Sequence, residues 1–265
     1  MNILAIETTG AEASVAMINE KGEVFMEASD QKMNHLQNLM PMVDILLKKR
    51  GLSIDDMNYI AVSEGPGSFT GIRIGVASAR ALAQALDIET IGVPTLQSFL
   101  YNVPDYRGII CPIFDARRNQ VYGGAYQWTG VGQSGETEKG TLCGNAARAP
   151  YREVVPGGAY DLPQLLDRLK TALLTGSDGN TALEVTFFGD GIIPYKEQIT
   201  DWQNVSLNDN IHVLFAEDDI RLQKASSVAR LALESCRAGR VKSLYDLKPV
   251  YMRKAEAERK LEEKS

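Results

Sequence analysis

The stretch "SEGPGSFTGIRIGVASARALAQAL", Ser63 to Leu86, leaves an apolar run through a glycine-rich turn and continues into a helix full of small residues. Two phosphate-binding loops begin this way, and neither fits. A Walker loop, GxxxxGK[ST], sets a lysine on the phosphates, yet no lysine follows Gly65, Gly67 and Gly71 at that spacing. The dinucleotide fingerprint GxGxxG is one residue shorter than Gly65-Pro66-Gly67-Ser68-Phe69-Thr70-Gly71. What remains is a strand–turn–helix junction in which glycines permit positive φ and Ser68 or Thr70 caps the helix. Two uses stay open: a turn and cap alone, or free amides for an anion.

The helix that follows carries Gly71, Gly75 and Ala79 four residues apart, beside Ser78 and Leu82. Two interior glycines cost about 1 kcal/mol each relative to alanine, so close packing must offset them. Periodicity alone leaves open whether the packed body is the chain's own sheet or a partner.

Working outward, "NILAIET" (2–8), "EASVAMI" (12–18) and "EVFMEA" (23–28) read as an antiparallel meander. A helix is expected from about His35 to Arg50, with Leu36, Leu39, Met40, Val43, Leu46 and Leu47 on one stripe and Gly51 as its stop. Met33, Met40 and Met42 flank that stripe, and methionine adapts well to contact surfaces. Pro41 inside it denies the Gln37 carbonyl a donor and predicts a kink or a late start. "YIAVSE" (59–64), helix 70–86 and "TIGV" (90–93) alternate β and α, which predicts parallel pairings and a mixed sheet.

The pattern partly repeats. "GIICPIFD" and "QVYGGAYQW" form another hairpin whose first strand ends in an acid, so Asp115 stands where Glu7 stands in the first. Helix 161–173, strand "EVTFFGD" (184–190) and helix 225–238 complete the second half, with "GDG" (189–191) as another glycine turn after a strand. Segments 129–145 and 175–180 read as loops and "KAEAERKLEEKS" as a charged, frayed terminal helix.

With 265 residues and 44% apolar composition, about two domains with packed cores are expected. The apolar runs are short and the N-terminus has no signal-peptide pattern, so a cytoplasmic protein without a membrane segment is expected. Cys111, Cys143 and Cys236 are too sparse for a disulfide framework or a zinc finger. A net charge of −6 argues against gripping nucleic acid unaided. Lys48, Lys49 and Arg50 read as macrodipole complements and Arg117 with Arg118 as a solvated turn.

Chemistry is sparse. His35 and His212 are the only histidines, and the i+4 partner a metal site on the first helix would want is Leu39. Glu7 and Asp115 could hold magnesium in a cleft, yet Ala116-Arg117-Arg118-Asn119 has bulk where phosphates need glycine. The candidates for a nucleotide or anion contact are Glu7, Thr8, Thr9, Gly65, Gly67, Ser68, Asp115, Arg117, Arg118, Gly189 and Gly191. No nucleophile–base pair and no metal set is visible, so no catalytic residue is assigned.

"LAIETTG", "EGPGSFTGIRIG", "DARRNQVY" and "LKPVYMR" together resemble the bacterial TsaB (YeaZ) family, over most of residues 1–128 and at scattered C-terminal points. The resemblance implies an actin/Hsp70/sugar-kinase-like (ASKHA) α/β fold of two related lobes, here 1–104 and a more divergent 105–265 with its charged tail. It implies a non-catalytic subunit that supports the catalytic paralogue TsaD, with the ATPase TsaE, in forming threonylcarbamoyladenosine on tRNAs reading codons that begin with A. The implied heterodimer face is formed by helices 33–50 and 70–86, through Met33, Leu36, Met40, Val43, Leu47, Gly71, Gly75, Ser78, Ala79 and Leu82. In isolation that face would serve a homodimer, tRNA would be met only through the complex, and ATP or ADP would enter only at a subunit junction. Glu7 departs from the aspartate of many relatives, and its extra methylene displaces any magnesium ligation. Two rivals are an ATP-dependent phosphotransferase of the same fold class, opposed by the Arg117-Arg118 turn, and a peptidase, for which no Ser/His/Asp set appears.

Overall fold

The computed structural model describes residues 1–29, 35–129, 151–176, 183–207 and 210–253. All but the first residue of the expected loop at 129–145, most of that at 175–180, the terminal helix, Met33 and Cys143 fall outside these residues, as does the side chain of Leu36.

Strands β1 (Asn2–Glu7), β2 (Ser14–Asn19), β3 (Val24–Ala28), β4 (Tyr59–Gly65) and β5 (Glu89–Pro94) make one sheet in the order β3-β2-β1-β4-β5. The second sheet is ordered β10-β9-β6-β7-β8, from β6 (Ile109–Asp115), β7 (Gln120–Trp128), β8 (Tyr151–Asp161), β9 (Leu183–Phe188) and β10 (Ile211–Phe215). Read from β8, the second sheet repeats the first: two antiparallel pairings, β8·β7 and β7·β6, then two parallel ones, β6·β9 and β9·β10. The first runs β3·β2 and β2·β1 antiparallel, then β1·β4 and β4·β5 parallel. The repeat glimpsed in two acid-tipped hairpins is thus a repeat of whole lobes.

Helices repeat as well. α1 (His35–Lys48) joins β3 to β4 as α4 (Leu162–Gly176) joins β8 to β9; α2 (Phe69–Leu86) joins β4 to β5 as α5 (Ile192–Ser206) joins β9 to β10. The short α3 (Thr95–Ser98) follows β5, and α6 (Ala225–Arg237) follows β10. α1 contains Pro41 and ends in a left-handed Gly51, where the Leu52 amide returns to the Leu47 carbonyl at 3.0 Å.

Both sheets are covered on both faces, which is why their central strands read as near-continuous apolar runs. On the first sheet Leu4, Ile6 and Val62 face α1 and α2, while Ile3, Ala5 and Ile91 face α6. On the second, Ile109, Cys111 and Ile113 face α4 and α5, and Ile110 and Phe114 meet Leu96, Phe99 and Leu100 of α3 and the turn after it. Each of the buried Leu, Ile, Val and Phe side chains among these contributes on the order of 1.5–3 kcal/mol. A cut at 104/105 separates the two sheets but not the two cores: α6 and the segment after it, though late in the chain, pack on the first sheet.

Besides the one-turn α3, three elements escaped the sequence reading. β8 holds Pro156, Gly157 and Gly158, which an edge strand tolerates because its outer N–H groups have no ladder to complete. α5 carries Pro194 in its first turn, where no intrahelical donor is needed. β10 is five residues long and borders its sheet.

Candidate functional site

Register places Glu7 at the C-terminal end of β1, opposite Ser14 on β2. Its carboxylate is fully buried: Oε1 accepts from the Thr9 amide at 2.5 Å and the Thr9 hydroxyl at 2.6 Å, and Oε2 accepts from the Ser63 hydroxyl. Burial pushes its pKa up, and the hydrogen bonds from Ser63 and Thr9 pull against that shift. Both oxygens are thereby engaged inside the fold, and among the described residues no group of three or more His, Cys, Asp or Glu side chains is placed to hold a metal ion.

Thr8 and Thr9 carry the glycine loop. The Thr9 carbonyl accepts from the Ser68 amide at 2.8 Å, the Thr8 hydroxyl donates to the Gly71 carbonyl at 2.8 Å, and the Ser68 hydroxyl caps the Gly71 amide at 3.2 Å. Gly65 and Gly67 adopt φ of 119° and 155°, open to glycine alone. A Cβ on Gly67 would lie 2.6 Å from the Thr9 Cβ, and one on Gly65 would lie 2.4 Å from the Val250 carbonyl oxygen. The cradle is smooth because the chain itself approaches it.

That approach comes from a strap, residues 240–253. Lys242 and Thr90 exchange backbone hydrogen bonds at 2.8 Å each, and the Lys242 ammonium pairs with Glu64 at 2.9 Å. Leu247 is buried in the first lobe, and the Val250 amide donates to the Glu64 carbonyl at 2.7 Å. The Tyr251 ring lies 4.7 Å from that of Phe69, and its hydroxyl accepts from Arg73 Nε at 2.9 Å. Arg253 then donates to the Ala116 carbonyl of the second lobe at 2.8 Å.

The equivalent end of the second sheet is built otherwise. Asp115 Oδ1 accepts from the Arg117 amide at 2.7 Å and from the Tyr195 hydroxyl at 3.0 Å, whose pKa burial and Asp115 push up to about 12. Arg117, Arg118 and Asn119 all stand in left-handed backbone, φ 62°, 57° and 60°. For residues with a Cβ that conformation is uphill by about 1–2 kcal/mol each, and the Asp115 carboxylate helps hold it. Gly189 and Gly191 hug β6: the Gly191 amide donates to the Ile113 carbonyl at 3.1 Å, and a Cβ on Gly189 would sit 2.1 Å from that oxygen. Between them burial raises the pKa of Asp190, which accepts from the Asp115 amide at 3.3 Å.

The two ends border one connecting segment: Gly189 donates to the Arg221 carbonyl at 2.7 Å, and Gln223 lies 3.0 Å from where a Cβ on Gly10 would stand. Sequence reasoning assigned no role to Asp190, Tyr195, Gln223 or Arg253; Asp190, between two glycines already singled out, and Arg253, the last residue of "LKPVYMR", carried a signal.

The residues assigned to a partner face divide. Gly71, Gly75, Ala79, Val43 and Leu47 are buried in the first lobe's own core. A Cβ on Gly71 would lie 1.9 Å from the Thr8 carbonyl oxygen, and one on Gly75 would lie 2.4 Å from the Thr8 hydroxyl and 3.1 Å from Val62. The small-residue stripe thus lets α2 settle on β1 and β4, correcting its assignment to a partner surface. Of the others, Met40 is exposed, and Ser78 and Leu82 are half-buried. The outward face also carries Ile45 on α1 and Ala77, Ala81 and Ala85 on α2, all exposed.

A family model described as "TsaD: tRNA N6-adenosine threonylcarbamoyltransferase" matches residues 26–261. The chain belongs to this family. Within the TsaD family its relatives include tRNA threonylcarbamoyladenosine biosynthesis protein TsaB of Bacillus subtilis, 41% identical over 128 residues, which are 48% of this chain and 56% of that protein. The TsaB of Escherichia coli K12 is 37% identical over 142 residues, 52% of this chain and 61% of that protein. The chain thus spans somewhat over half the length of the TsaB relatives it matches. The solved structure of YeaZ from Pseudomonas aeruginosa superposes with a TM-score of 0.67 at 23% identity, over 94% of this chain and 99% of that one. The likeness extends through both lobes, and the fold is the two-lobed ASKHA-like one of mixed sheets flanked by helices. No helix among the described residues is long and apolar enough to cross a membrane.

Proposed function

We propose that this chain is a TsaB-type adaptor: a cytoplasmic subunit without turnover of its own that binds the catalytic paralogue TsaD in the complex, completed by TsaE, that forms threonylcarbamoyladenosine on tRNAs reading codons that begin with A. The observation that carries the reading is the state of the glycine loop. In a phosphotransferase of this fold class that loop would receive a ligand; here Thr9 and Val250 stand against its two glycines, and Glu7 spends both oxygens on Ser63 and Thr9. The glycine loop is packed against the chain itself, which favours a reading in which ATP or ADP enters only at a junction with another subunit.

The partner face is the outer side of α1 and α2, with Met40, Ile45, Ser78, Ala81 and Leu82, and in isolation two copies of the chain pair through it. A division into lobes 1–104 and 105–265 then sets both interface helices in the first lobe. Reconstitution tests the adaptor reading. Purified chain with tRNA, threonine, bicarbonate and ATP is expected to leave the tRNA unmodified; TsaD and TsaE should be required for modification, and omission of this chain should lower it. Robust modification by this chain alone would overturn the adaptor role, and micromolar Mg-ATP binding followed by hydrolysis would favour the phosphotransferase.

A further inference from the structure

The strap is held in two unlike ways. Its inner half is built into the first lobe, by the paired backbone bonds of Lys242 with Thr90 and by buried Leu247. Beyond Pro249 the anchoring thins to a few contacts: one backbone hydrogen bond from Val250, the Tyr251 ring and hydroxyl on Phe69 and Arg73, the half-buried Met252 side chain packed against the cluster of Leu96, Phe99 and Tyr126, and one bond from Arg253 to Ala116. Val250 and Tyr251 remain 42% and 41% exposed. These few bonds nonetheless join distant places, since Val250 fills the cradle at Gly65 in one lobe and Arg253 grips the Ala116 carbonyl in the other.

We propose that Val250–Arg253 is a detachable catch between the lobes. Rooted at Leu247, these four residues leave as a unit; their departure uncovers the glycine loop and releases the 115–119 turn in the same event. Segments held by few, half-exposed contacts open far more often than the core beneath them, so this opening precedes any global unfolding. Access to the glycine loop and freedom between the lobes would then be one equilibrium, governed by a segment that neither sheet contains.

Hydrogen–deuterium exchange on the full chain tests this, with Tyr251→Ala and Arg253→Ala made separately. Tyr251 touches only the first lobe and Arg253 reaches the second, so a shared response is the signature of a unit. Each variant is expected to speed exchange about tenfold at both the Ser68–Gly71 amides and the Ala116–Gln120 amides, leaving β1 and β6 protected. A response confined to the lobe each side chain touches would overturn the proposal, as would unchanged exchange at both places. Acceleration throughout the chain would also overturn it, because the segment would then belong to the cooperative core. Tyr251→Phe, which keeps the ring and loses the Arg73 bond, should give a smaller rise at the same two places.

Discussion

Gly75 stands beneath a hydroxyl that already has a partner, since Thr8 donates to the Gly71 carbonyl. A leucine there would drive its Cβ into the Thr8 Oγ1 and Val62. Overpacking of this kind costs about 1–3 kcal/mol, and each kcal/mol lowers the melting temperature by roughly 2–4 °C in a chain this large. Gly75→Leu is therefore expected to melt several degrees lower in a thermal scan, despite leucine's better helix propensity; an unchanged or higher melt would mean that α2 does not seat on β1 as described. Glu7 offers a second test at this scale. Its folded pKa lies above the ordinary value of about 4.3, so the folded state holds the proton more firmly than the unfolded one, and stability falls as pH rises from the ordinary value through the raised one. Glu7→Gln can still accept from Thr9 and donate to Ser63 but does not titrate. The stability difference, wild type minus variant, should therefore decline as pH climbs through that window; a difference flat in pH would contradict a raised pKa at buried Glu7.

The outer side of α2 makes the contrasting prediction at the scale of elements. Ala81 is exposed, so Ala81→Trp should leave the melting temperature within about 2 °C of wild type while weakening TsaD at least tenfold in a binding titration. Undiminished binding would move the interface elsewhere. Gly71, Gly75 and Ala79 share a face by their spacing of four, and that much was legible in the sequence. Their direction was not, because α2 lies between sheet and solvent with small residues on both sides, Ala77, Ala81 and Ala85 being outermost. Periodicity reports what lies together, not what it lies against. The same limit hid β8, whose Pro156-Gly157-Gly158 reads as a turn until its place at the sheet edge is known. The acid tips Glu7 and Asp115 were legible because each closes an apolar run; of the strap only the motif "LKPVYMR" (247–253) stood out, and a short segment without periodicity gives no sign of the loop it will cross.

At the scale of the molecule, residues 1–104 contain every strand of the first sheet but only one of its two coverings. Ile3, Ala5, Ala16, Ile18, Ile91 and Val93 depend on α6 for burial. A 1–104 fragment is expected to aggregate or remain without fixed side-chain packing, judged by near-ultraviolet circular dichroism and dye binding. A cooperative melt of that fragment would show that the N-terminal segment can bury this face without help. The lobes are therefore related in architecture yet unequal in how the chain completes them: the second sheet draws its helices from the sequence between its own strands and just before it, whereas the first waits for a helix that begins at residue 225.

That wait has a duration. At a synthesis rate of roughly 5–20 residues per second, the interval between emergence of residue 104 and of residue 237 is about 7–27 s. Throughout it the nascent first sheet presents a bare aliphatic face to its surroundings, long after its strands are able to pair. A ribosome-bound chaperone would find its substrate there, and any slowing of translation between codons 105 and 237 would lengthen the exposure without altering a single contact of the finished protein.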